Sequence, residues 1–154
     1  AVGGRRFIHL RVQGSLSPSG MPLASQARMA GRNYQDLVAW QCGMDLVEAV
    51  YRESAPMPAE ERYGLIAQMR RAAVSIPANI AEGWARPTRV YVNHLSMALG
   101  SEAELKTQLK LVVRMKYLTE TEIAPLLSLA SEVGRMLRGL IKSLKQRLEL
   151  RGRP

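Results

Sequence analysis

Apolar residues recur along this chain at steps of three and four, the spacing that gathers side chains on one face of a helix. Four such segments follow one another between Asn33 and Glu149. The first is predicted to start at Asn33 as N-cap, with Asp36 in its opening turn and Leu37, Trp40, Met44, Val47 and Tyr51 as its buried stripe. Two prolines in Ser54-Ala55-Pro56-Met57-Pro58 dictate the loop that ends it. Pro58-Ala59-Glu60-Glu61 suits an opening turn, and Gly64 marks a bend before the second helix.

The second helix carries two apolar stripes side by side. One is Leu65, Met69, Ala72, Ile76, Asn79 and Gly83; the other is Ile66, Ala73, Ile80 and Trp84. A surface helix shows one stripe and a charged back, so this one is expected to be covered on two sides, with more apolar surface than one subunit hides. Pro77 stands in its interior, where proline removes a donor and clashes with the carbonyl four residues back, that of Ala73. A kink at Ile76-Pro77 is expected, with Ser75 and Asn79 as a polar clasp on the freed carbonyl.

Gly83 is expected to close this helix and Thr88 to cap the third, which runs to about Met115. The third seam is Tyr91, Leu95, Ala98, Glu102, Leu105, Leu109 and Val112. Gly100 lies mid-helix, where glycine costs about 1 kcal/mol relative to alanine and close approach of another backbone is the usual compensation. Thr119 and Thr121 compete to cap the fourth helix. Thr121 is preferred because it keeps Pro125 within the first four helical residues, whose amides are unpaired anyway. Leu126, Ala130, Val133, Leu137, Leu140 and Leu144 form the fourth seam, fraying near Glu149. Short connections make the whole an all-α, up-down-up-down four-helix bundle.

Composition agrees. Hydrophobic residues make up 47% of 154, but there is one Phe, so the core must come from aliphatic side chains that favour helices. The single Cys42 excludes an internal disulfide and reads as a buried small hydrophobe of a reducing cytosol, so a cytoplasmic location is expected. The net charge is +9. Residues 1–32 hold five arginines and no acid, are rich in Gly, Ser and Pro, and read as a disordered basic extension. Residues 33–149 are the bundle and 150–154 a frayed tail. No apolar run follows Arg5-Arg6, which argues against an export signal, and no stretch approaches the length needed to cross a bilayer.

Several motifs resemble a known family: Tyr34-Gln35-Asp36-Leu37-x-x-Trp40-Gln41, Gln68-x-Arg70-Arg71-Ala72, Ser75-Ile76-Pro77-x-Asn79-Ile80-Ala81-Glu82-Gly83, and Ala98-Leu99-Gly100-Ser101-x-x-Glu104-Leu105. They are similar to the bacterial four-helix-bundle proteins first noticed in intervening sequences of large-subunit ribosomal RNA genes. The likeness runs from Asn33 to Lys145; Glu102 departs from it, standing where the family more commonly has an apolar or small residue. The resemblance implies a homopentamer with a central channel. It also implies kinship with the accessory protein of diversity-generating retroelements, which works with a reverse transcriptase and RNA. It brings no catalytic residues.

The residues themselves offer little chemistry. His94 has no carboxylate three or four positions away, which argues against a metal site, and no phosphate loop or nucleophile motif occurs. An enzyme would need a pocket joining Asn79, Glu82 and Glu104; the reading is of no enzyme and no cofactor. Charge is better organised. Arg135, Arg138, Lys142 and Lys145 form one basic stripe, and Lys106, Lys110 and Arg114 a second. No acid interrupts from Gly134 to Leu148. Such stripes suit a phosphate backbone, and with little aromatic interleaving the binding would be electrostatic and sequence-tolerant. The expected partners are other copies of the chain, RNA or DNA, or a nucleic-acid-handling protein such as a reverse transcriptase. A purely structural or protein-interaction ring is the alternative.

Overall fold

The computed structural model describes residues 33–151; the basic leader 1–32 and residues 152–154 lie outside them. Four helices are present: α1 (Val38–Ser54), α2 (Leu65–Trp84), α3 (Thr88–Arg114) and α4 (Glu120–Arg151). They pack in ring order, α1 on α2, α2 on α3, α3 on α4 and α4 back on α1. This is the four-helix bundle that the periodicity predicts.

The seam of α3 is buried at every position expected of it, from Tyr91 through Glu102 to Val112. The α4 seam also holds, with Leu140 half-buried and Ile123 and Gly134 added to it. Both stripes of α2 are covered as expected, yet by the subunit itself: Ile66, Met69, Ala72, Ala73, Ile76 and Ile80 are all buried. Its sequence surplus of apolar surface is therefore taken up by α1 and α3. The helix ends at Trp84, within one residue of the expected closing Gly83. A Cβ on Gly83 would stand 2.6 Å from Tyr91 Cδ2 and 2.7 Å from His94 Cβ, so the missing side chain is what lets α3 approach.

α1 is turned one position from expectation. Ala39, Gly43, Leu46 and Val50 face inward, while Met44 and Tyr51 are exposed and Trp40 and Val47 half-buried. Gly43 lies against Pro77 of α2, where an added Cβ would sit at 3.5 Å, in ordinary contact with the proline ring. Asn33 caps a short 3-10 turn, Tyr34–Asp36, and the helix starts only after extended Leu37.

The joints are built from identifiable groups. Arg70 on α2 donates to Ser54 Oγ at 3.0 Å and to the Tyr51 carbonyl at 3.5 Å, and its guanidinium stacks on the Tyr51 ring, so it holds the last turn of α1. Glu61 Oε2 accepts from the Leu65 amide at 2.9 Å, while its other oxygen accepts from Tyr117 Oη at 3.1 Å, pinning the start of α2 to the α3–α4 turn. Thr88 is the first helical residue of α3, and its side chain caps nothing. At α4 the capping box wins over Thr121: Thr119 Oγ1 accepts from the Glu122 amide at 3.3 Å, and Glu122 accepts from the Thr119 amide at 2.8 Å. Two satisfied donors outweigh the placement of Pro125, which is exposed and whose lost bond water can replace.

The α3–α4 turn carries one conformational liability. Lys116 sits at φ 61, its amide on the Val113 carbonyl and that of Tyr117 on Val112, the pattern of a Schellman cap whose left-handed residue favours glycine. Lys116→Gly is expected to raise the unfolding free energy by about 0.5–1 kcal/mol. Urea titration checks it; an unchanged or lowered midpoint at constant slope would contradict it.

Candidate nucleic-acid interface

Ser75 and Asn79 on α2 are hydrogen-bonded to each other, not in the clasp expected on the freed carbonyl. Asn79 Nδ2 donates to the Ser75 carbonyl at 2.8 Å and to Ser75 Oγ at 3.1 Å, rather than to the carbonyl of Ala73. Ser101 Oγ donates to Ser75 Oγ at 2.9 Å, and His94 Nδ1 stands 3.3 Å from Asn79 Oδ1. The helix runs unbroken through Pro77. The cluster thus spends its polar atoms on tying α2 to α3. Glu82 and Glu104 are solvent-exposed, and Glu104 is hydrogen-bonded to Gln108 at 3.0 Å.

Among the described residues, no group of His, Cys, Asp and Glu is placed to hold a metal ion. Cys42 is half-buried, and burial, then Glu132 and Asp45, push its thiol up, away from the reactive thiolate. Burial also pushes Tyr91 up to about 12, so the ring that packs edge-on against Trp84 stays neutral.

The basic residues form the more organised surface. Arg135, Arg138, Lys142, Lys145, Lys110 and Arg114 are exposed, whereas Lys106 is half-buried in an ion pair with Glu102. Glu102 is the key to their arrangement. It is 4% exposed, and a Cβ on Gly134 would meet its carboxyl at 3.0 Å, so Glu102 of α3 and Gly134 of α4 lie at one level. Glycine takes that carboxylate without a shift, whereas any larger residue would press on the end of the Glu102 side chain. Because the two helices are antiparallel, the α3 stripe climbs one way from this level and the α4 stripe the other. At 1.5 Å per residue, the line from Arg114 to Lys145 runs about 35 Å. The stripes are thus laid end to end, joined at a buried acid.

The α4 half of the line borders an open groove of about 590 Å³. Arg138, Lys142, Lys145, Gln146 and Glu149 stand on the α4 side, and Ser96 and Leu99 on the α3 side, with Ile141 at the base. Arg135 falls outside it. Sequence reasoning missed Ser96, Leu99 and Ile141, although the signal was present: Ser96 and Leu99 share a helix flank with Lys106 and Lys110 at 3.6 residues per turn. No helix of the described residues is long and apolar enough to cross a membrane.

Comparison with known proteins places the chain. No curated protein matches it. A crystal structure of a protein with unknown function from the S23 ribosomal protein family, from Bacteroides thetaiotaomicron, has the same fold, with a TM-score of 0.62 and 24% identity over 68% of this chain and 96% of that one. The family model of the 23S rRNA-intervening sequence proteins matches residues 35–139, which take in α1 to α3 and much of α4. On that match, over more than half its length, the chain belongs to the 23S rRNA-intervening sequence protein family.

Proposed function

We propose that the protein is a non-catalytic, oligomeric helical scaffold that binds nucleic acid, RNA or DNA, or a nucleic-acid-handling protein, through the basic surface of α3 and α4. The observation that carries this reading is the end-to-end basic line, with its cations exposed and only Lys106 committed to an internal partner. A linear polyanion matches a line of cations better than any compact ligand does.

The oligomeric part, a homopentamer, draws support from a different surface. Large apolar side chains are exposed on α1 (Val38, Met44, Tyr51), α2 (Val74) and α3 (Val90, Met97, Leu111), whereas α4 exposes only Leu150. Gly100 has no atom within 4 Å of where its Cβ would be, so the subunit offers no compensation for a mid-helix glycine. A neighbouring copy on the α1–α3 side would supply one, and symmetry would repeat the basic line in every subunit.

The test is retention of a labelled oligonucleotide as a function of salt. With about five phosphate contacts per subunit, the logarithm of affinity is expected to fall with the logarithm of salt at a slope of about −3.5 for a single strand. Absence of retention at low salt would contradict the reading and favour a purely structural or protein-interaction ring, to which the exposed apolar side chains would equally belong.

A further inference from the structure

We infer that the α3/α4 groove receives single-stranded nucleic acid in preference to duplex; the inference rests on the nucleic-acid reading above and assigns it a strand state. The two walls of the groove are chemically unlike. The α4 wall carries Arg138, Lys142 and Lys145, while the α3 wall offers Ser96 and Leu99, with no charge. Leu99 and Ile141 are half-buried and give the space an aliphatic lining. Ser96 Oγ already donates to the Val92 carbonyl at 2.9 Å, so this wall is left with little hydrogen-bonding demand.

A single strand has the matching asymmetry. Its phosphates run along one edge and its unpaired bases along the other, and the bases gain by leaving water for a hydrocarbon surface. A duplex hides its bases and presents phosphates on both edges, so its second backbone would meet the uncharged wall. The groove also limits how much strand it holds. Glu149 lines the far end. At the near end, Glu102 is buried and already paired with Lys106. Within the groove, Arg138 to Lys145 spans about 10 Å of helix, enough for a few nucleotides. The groove holds no aromatic ring, so the strand is held without base stacking and without strong sequence preference.

The experiment is fluorescence anisotropy of the full chain with an RNA strand of about 12 nucleotides, alone and annealed to its complement, with a DNA strand of the same sequence as a second arm. The strand is expected to bind about tenfold tighter than the duplex, and tight binding of either sugar counts in favour. Ser96→Glu, at an exposed position, places an acid on the uncharged wall and is expected to weaken strand binding about fivefold or more while leaving the helical circular dichroism unchanged. Duplex binding as tight as the strand, or strand affinity indifferent to Ser96→Glu, would overturn the inference and leave the nucleic-acid reading in place. Failure of strand and duplex alike at low salt would overturn both.

Discussion

Gly83→Leu is expected to yield no folded protein, and Gly83→Ala a folded protein destabilised by about 2 kcal/mol. The sign for alanine is the informative part. Alanine is the better helix former by about 1 kcal/mol, so propensity alone predicts a gain. Packing opposes it, because the new Cβ would sit 2.6 Å from Tyr91 Cδ2 and 2.7 Å from His94 Cβ. The His94 atom is a β-carbon fixed to its helix, so relief requires α3 to move bodily. Such a shift would also disturb the Ser75–Ser101 and Asn79–His94 contacts that join the same two helices. Overpacking of about 3 kcal/mol less the propensity gain leaves the expected loss. Chemical denaturation measures it; a Gly83→Ala protein as stable as the parent would show that α2 and α3 are not in this contact.

The second large effect concerns the basic line. Changing Arg135, Arg138, Lys142 and Lys145 together to Glu lowers the net charge from +9 to about +1 and puts acids where phosphates would lie. Retention of an oligonucleotide is expected to vanish at about 0.1 M salt, where the parent still binds, with any residual salt slope smaller by about three. All four side chains are exposed and off the seam formed by Leu126, Ala130, Val133, Leu137 and Leu144, so the helical content is expected to stay. Undiminished retention by a folded quadruple variant would remove α4 from the interface.

How much of this could be read beforehand varies with the helix. The seam of α3 was legible because its large apolar residues and its inward face coincide. In α1 they do not. The inward stripe mixes the small Ala39 and Gly43 with Leu46 and Val50, while Trp40, Met44, Val47 and Tyr51 on the adjacent stripe carry more side-chain bulk. A pattern scored by bulky apolar side chains therefore points to the adjacent stripe. Gly83 does mark the helix end, one residue before Trp84, but its second role as a contact surface for α3 is set by packing alone. The double stripe of α2 was read correctly as two-sided burial, but whether its cover is a neighbouring helix or a neighbouring subunit is a tertiary fact.

The candidate interface divides the same way. Its cations follow from charge periodicity along each helix. Their end-to-end placement follows from the level at which α3 and α4 cross, set by a buried Glu102 against a side-chain-less Gly134. Neither residue announces that pairing. A glutamate in an apolar seam calls for a partner, and here what makes room for it is an absent side chain.

Sedimentation equilibrium of the full chain at micromolar concentration tests the scaffold most directly. A mass of about five 17.1 kDa chains is predicted, with copies meeting through the apolar side chains of α1 to α3 and leaving the α4 cations to solvent. A homogeneous 17.1 kDa species across that range would contradict it, leaving each basic line to act alone.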